Sequence, residues 1–223
     1  HIGQLMHLSH GHYVPELERL PGYPFFIFIN YTLFGLNHYT AITLIQSLLM
    51  GSIVLAIALT VRIILPNLMW PAAILAAICP NLAFRAAMIM PDLLFAFFGS
   101  WGLFFLIKSI YHQHTLRLLS IATLFFTLAL YTRPAFLLYP IFTLPAIIYL
   151  LKSRLHYSLL KSCLYSLSCL TLMIVFISPQ LFRIHHYTGH YTLTTQGPNH
   201  ALFWIYPCLS SKWGGKRDTS SLK

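Results

Sequence analysis

Acidic side chains are nearly missing from this chain: four in 223 residues, namely Glu16, Glu18, Asp92 and Asp218. Charged residues of both signs make up 8% of the sequence, whereas an average soluble domain carries about 25%. So little charge excludes an intrinsically disordered chain, which needs high charge density and low hydrophobicity. Together with a mean hydropathy of +0.71 it also excludes a soluble globular enzyme. The fourteen Lys and Arg residues give a net charge of +10. They lie thinly between long apolar runs and form no stripe that could follow a nucleic-acid backbone. No P-loop, GxGxxG or GxSxG element is present, so nucleotide binding and Ser-hydrolase chemistry have no support. The four cysteines form no CxxC pair, which argues against a zinc or redox motif. Cys163 and Cys169 stand inside an apolar run, where a thiol behaves as a small hydrophobe.

What the sequence has in abundance is apolar length. A membrane-spanning helix needs roughly 20 mostly apolar residues, with a range of about 17–25. Six runs qualify as candidate spans: Thr40–Val61, Leu68–Phe84 (broken by Pro71 and Pro80), Pro91–Ile107, Leu116–Tyr131, Ala135–Leu151 and Tyr157–Ser178, which Pro179 is expected to end. Before them, Pro24–Leu36 is apolar and aromatic but too short to cross, which predicts a re-entrant or interfacial helix started by the turn residues Pro21, Gly22 and Pro24. The fold class is therefore all-α, a polytopic membrane protein of about six transmembrane helices plus one short helix. The expected division is an external loop with its interfacial helix at 1–39, a transmembrane bundle at 40–178 and an extracytoplasmic C-terminal segment at 179–223.

Six spans alternate the loops between two sides. One side receives Arg62, Lys108, Arg117, Lys152, Arg154 and Lys161; the other receives Arg19, Arg85, Arg133 and Arg183. Lys and Arg favour cytoplasmic loops, so the first side is read as cytoplasmic, although the tail cations Lys212, Lys216, Arg217 and Lys223 fall on the second. All four carboxylates also fall on that second, extracytoplasmic side. Carboxylates and guanidiniums gathered at one bilayer surface suit an anionic, membrane-borne substrate. An arginine grips phosphate with two N–H groups, and a carboxylate can take a proton from a hydroxyl.

Each candidate also has an ordinary explanation. Asp92 opens an apolar run after Pro91, where a carboxylate complements the helix dipole. It also stands at the edge of a span, where an ionisable group is costly and marks a site. Arg85 is near enough in sequence to pair with it. Arg133 lies between two apolar runs, either snorkelling to headgroups or neutralising a lipid phosphate. Glu16, Glu18 and Arg19 form either a solvated loop or a substrate loop held at the interface by Tyr23 and Phe25. Of twelve histidines, His7, His10 and His12 cluster near the start and His185, His186 and His190 after the last span. Neither trio has a zinc-signature spacing; polar interface residues are the better account, and no metal ligands are assigned.

Several segments, in order, resemble bacterial GT-C class integral-membrane glycosyltransferases, relatives of protein O-mannosyltransferases and lipid A aminoarabinose transferases. Glu18-Arg19-Leu20-Pro21-Gly22-Tyr23-Pro24, followed by Phe34-Gly35, is similar to that group's R-x-PGYP…FG stretch. Ile45-Gln46 follows in the next span. Pro80-Asn81, leading to Pro91-Asp92-Leu93-Leu94-Phe95, is similar to the acidic start of a later span. Tyr131-Thr132-Arg133-Pro134 is similar to L-T-R-P, and GHYTLTTQG from Gly189 to Gly197 is similar to the external stretch after the core spans.

The resemblance implies an enzyme of the cell envelope that moves a sugar from a polyprenyl-phosphate donor to an acceptor hydroxyl on a glycan, lipid or protein. The site would face the extracytoplasmic side of the inner (plasma) membrane. It implies catalytic roles for Asp92, Glu18 and Glu16, substrate binding by Arg19, Tyr23, Arg85 and Arg133, and in some members a divalent cation beside the leaving phosphate. The group's principal Asp lies in a D-x-x-Y-like element upstream of PGYP, a region that here, over residues 1–19, contains no Asp. The chain is accordingly expected to be a fragment lacking an N-terminal span and that Asp, with Glu16 or Glu18 as the available substitutes. The alternatives are a transporter or flippase-like protein, expected to carry mid-membrane charges and repeated halves, and a structural multi-pass subunit.

Overall fold

The computed structural model describes residues 19–36, 38–111, 115–134, 139–155 and 157–194. They form helices α1 (Gly22–Phe34), α2 (Tyr39–Ile64), α3 (Met69–Ala77), α4 (Pro80–Ala87), α5 (Pro91–Tyr111), α6 (Thr115–Thr132), α7 (Tyr139–Leu155) and α8 (Leu159–Thr188), with a 3₁₀ turn at Pro66–Leu68. The protein is thus an all-α, multi-pass membrane protein. Among the described residues four helices are long and apolar enough to cross a bilayer: α2, α5, α6 and α8. The pair formed by Pro66–Ala77 and α4, bent by 49°, makes a fifth if taken as one broken span.

Proline decides where these helices stop. Pro66 forces the preceding residue out of the helical region, and Leu65 closes α2 with an extended backbone (φ −140°, ψ 84°). Cys79 is extended for the same reason before Pro80, the first residue of α4, which produces the bend. The expected span at 135–151 corresponds in its described part to α7, whose apolar stretch, Leu144–Ser153, is shorter than a span requires. Residues 135–138 lie outside the described part.

Pro179, by contrast, does not end the last helix, which continues to Thr188. A proline inside a helix deprives the carbonyl four residues earlier of its N–H partner. Here that is Val175, and the Ser178 hydroxyl donates to it at 2.9 Å. The short helix α1 begins at Gly22, earlier than the expected Pro24, and ends at Gly35, whose positive φ (87°) turns the chain. Its Phe25, Phe28, Leu33 and Phe34 are exposed, an apolar surface suited to lipid.

Two compact units divide the described residues. In the larger, Leu20–Gln180, leucines such as Leu44, Leu48, Leu164 and Leu167 face outward, while Ile42, Ile53, Leu93 and Leu119 are buried together with small and polar side chains such as Ala56, Ala122, Gln46 and Thr127. Lipid accommodates outward Leu as readily as a core does, so residues that permit close approach help to decide which helix faces meet. Several buried hydroxyls are satisfied within their own helices: Thr60 donates to the Ala56 carbonyl at 2.7 Å, Thr123 to Leu119 at 2.9 Å and Thr127 to Thr123 at 2.8 Å. Trp101 Nε1 donates to Ser52 Oγ at 2.9 Å, tying α5 to α2. The Tyr131 hydroxyl donates to the Phe176 carbonyl, tying α6 to α8. Leu119, Ile147, Leu151 and Cys169 form a core between α6, α7 and α8.

The smaller unit takes in Arg19 and the residues from Leu181 onward. There Gly189, at φ 73°, ends α8 with its N–H on the His185 carbonyl at 2.8 Å. The His185 ring stacks on Tyr191, with centroids 4.0 Å apart.

The most extensive helix pair is α5 with α6. At its centre a Cβ built on Gly102 would lie 2.8 Å from the Phe126 ring, with Phe126 itself buried. Gly102→Ala is therefore expected to lower stability by about 1–3 kcal/mol, the usual range for overpacking. Thermal unfolding in detergent checks this; a melting temperature equal to wild type would show that α5 and α6 are not packed this closely.

Candidate active site

The alternation of helices brings five element ends together at one end of the bundle: the starts of α1, α2 and α5 and the ends of α4 and α6. Pro91 opens α5 and puts Asp92 in its first turn. One carboxylate oxygen, Oδ2, pairs with Nη1 of Arg85 from the last turn of α4. The other, Oδ1, pairs with Nη1 of Arg133, just beyond α6. A helix N-terminus and two guanidiniums thus stabilise the same carboxylate.

Burial divides the cluster. The Asp92 side chain is 10% exposed, and those of Arg85 and Arg133 are 37% and 48% exposed. The anion is inside and the cations reach the surface. Formal charge sums to one positive charge on the outward side. Each guanidinium offers five N–H donors in a rigid fork. Arg85 is held further by its Nε, which donates to Asn81 Oδ1 one turn earlier at 3.1 Å. Arg133 is held by its backbone N–H on the Ala129 carbonyl at 3.0 Å.

The turn that starts α1 lies directly against this cluster's frame. A Cβ on Gly22 would come within 2.7 Å of the Tyr131 carbonyl oxygen, two residues before Arg133. Only glycine permits that approach, which gives the Pro-Gly-Tyr-Pro element a steric reason. Tyr23 follows; its hydroxyl accepts from Gln46 Nε2 at 3.4 Å, and the same Nε2 reaches the Met90 carbonyl at 3.5 Å. Burial pushes the Tyr23 hydroxyl up to about 12, outweighing the opposing hydrogen bond from Gln46. It stays protonated at physiological pH.

The structure therefore brings together Asp92, Arg85 and Arg133, with Tyr23 beside them through Gln46. Arg19 is exposed before α1 and belongs to the smaller unit. Glu16 and Glu18 lie outside the described residues, as do His7, His10 and His12. Gln46 and Asn81 were legible only as motif neighbours and received no role from the sequence; a polar side chain inside an apolar run was the available signal for Gln46. Among the described residues no three His, Cys, Asp or Glu side chains come together. A divalent cation does not fit at Asp92, because two guanidiniums already occupy the carboxylate and would repel it.

These observations define an all-α, multi-pass membrane protein with a carboxylate and two arginines paired at one end of its helices. The family model of dolichyl-phosphate-mannose-protein mannosyltransferases matches residues 15–182, about three quarters of the chain, and the chain belongs to that family. It is a glycosyltransferase of the mannosyltransferase type. No curated protein and no solved structure was found to match it.

The Tyr23 environment makes a pH prediction. A hydroxyl whose folded value lies above its unfolded value, near 10, contributes stability that is fully present below pH 10 and lost as pH rises through about 12. The phenolate absorbance of wild type minus that of Tyr23→Phe is expected to show a midpoint near 12; a midpoint near 10 would mean that Tyr23 is solvated.

Proposed function

We propose that this protein transfers a sugar from a polyprenyl-phosphate-linked donor to an acceptor hydroxyl on the extracytoplasmic face of the membrane. The observation that carries this is a buried carboxylate holding two partly exposed arginines at one end of the bundle. In the transfer, the acceptor oxygen bonds to the anomeric carbon while the bond from that carbon to the phosphate oxygen breaks. The electron pair leaves with the polyprenyl phosphate, and the acceptor's proton passes to a base. Negative charge therefore grows on the phosphate, where Arg85 and Arg133 are suited to receive it without reorganising.

With both oxygens engaged, Asp92 acts as the residue that orients the two guanidiniums. The acceptor's proton requires a base other than Asp92, and the family resemblance offers Glu16 or Glu18 for that role and Arg19 for donor binding. A direct attack with one base inverts the anomeric centre. An acceptor glycan, lipid or protein would approach from the same face, at the inner membrane. In the described spans the charged side chains stand near helix ends: Arg62 in α2, Asp92 and Lys108 in α5, Arg117 in α6, and Lys161 and Arg183 in α8. A transporter would need such groups near the bilayer midplane.

The test uses the full-length protein in membranes with labelled polyprenyl-phosphate mannose. Arg133→Ala and Arg85→Ala are each expected to reduce transfer by about 10²-fold, the usual cost of removing one preorganised donor to a developing anion. Arg133→Lys restores part of it, since an ammonium keeps the charge but not the fork. Unchanged transfer in both alanine variants would exclude this cluster as the phosphate site.

A further inference from the structure

Gln46 is 1% exposed, on a helix that faces lipid along much of its length. A buried amide in such a place is costly unless its hydrogen bonds are made. Its Nε2 has two acceptors, the Tyr23 hydroxyl at 3.4 Å and the Met90 carbonyl at 3.5 Å, and its Oε1 has no partner among the described residues. The two acceptors belong to different parts of the site. Tyr23 is in the glycine turn that lies on Tyr131 beside Arg133. Met90 is the residue before Pro91-Asp92, in the extended link from Arg85's helix to the start of α5. One side chain thus spans from the loop motif to the backbone that carries the central carboxylate.

We infer that Gln46 is a positioning residue of the transferase: it registers the Tyr23 turn against the Met90–Asp92 link and so sets where the two arginines present their donors. This rests on the phosphate-binding role proposed for those arginines. Gln46 is too buried to touch substrate, so its effect passes through Tyr23 and Asp92. Geometry set this way matters more to the transition state than to donor binding, because small misplacements act on the reacting arrangement.

The experiment compares wild type, Gln46→Met, Tyr23→Phe and the double variant in the full-length protein, in membranes with labelled polyprenyl-phosphate mannose. Methionine keeps the length and shape of the side chain and removes the amide. Gln46→Met is expected to lower kcat about tenfold, the scale of one hydrogen bond, with KM for the donor changed less than twofold. The double variant is expected to be no slower than the slower single variant, because both act through one contact. If Gln46→Met fails to accumulate in membranes, Gln46→Glu, which replaces the Nε2 donor by an acceptor, is measured in its place with the same expectation. Unchanged kcat, a loss confined to KM, or multiplicative losses in the double variant would overturn the inference. Asp92→Asn and Arg133→Ala are run alongside. If they too leave transfer unchanged, the phosphate-site reading fails; if they abolish it while the Gln46 variant is normal, only the positioning role fails.

Discussion

Asp92 is the one carboxylate among the described residues, and it is buried where a helix begins at the edge of an apolar bundle. An unpaired ion there would be untenable, because neither lipid nor packed helix ends can replace its water. Arg85 and Arg133 remove that difficulty, and doing so constrains the rest of the fold. The chain must break after α4, so that Arg85 can reach back across the Pro91 turn. Helix α6 must end beside the start of α5, so that Arg133 arrives from the opposite side. The long α5–α6 pairing, with Gly102 against Phe126, holds those two ends in register.

Packing around the ion cluster follows from the same solvent. In a soluble protein, burial of Leu and Ile would drive assembly; here many of them stay outside, and close approach of small residues takes over. Gly22 on the Tyr131 carbonyl and Gly102 on the Phe126 ring are places where a single methyl group would collide. Threonine hydroxyls such as those of Thr60, Thr123 and Thr127 turn back on their own helices, which satisfies them without water. Trp101 to Ser52, Tyr131 to Phe176 and Gln46 to Tyr23 cross between helices, each linking a spanning helix to a neighbour.

Much of this was legible along the chain. Apolar runs marked α2, α5 and α6 to within a few residues, since a spanning helix must satisfy its own backbone and announces itself by length. The turn residues Pro21, Gly22 and Pro24 marked the start of α1 to within two residues. The sequence misled at Pro179, where a proline suggested an end and the neighbouring Ser178 supplied the missing hydrogen bond. Of the six spans it suggested, four helices, or five with the bent pair, have the length and composition among the described residues. Short apolar runs interrupted by proline do not disclose whether the pieces align into one rod.

For the site, the sequence by itself determined that charge would be rare, that Asp92 would open a span, and that Asp92, Arg85 and Arg133 would share a face. Those are consequences of hydropathy and alternation, which depend on order along the chain. Only the tertiary structure decided that both arginines grip the same carboxylate, that Gly22 must be bare to let the α1 turn lie on Tyr131, and that Gln46 joins Tyr23 to the Met90 carbonyl. Each of these is a contact between helix ends far apart in sequence. Their proximity depends on how whole helices pack, and no local pattern of residues encodes that distance.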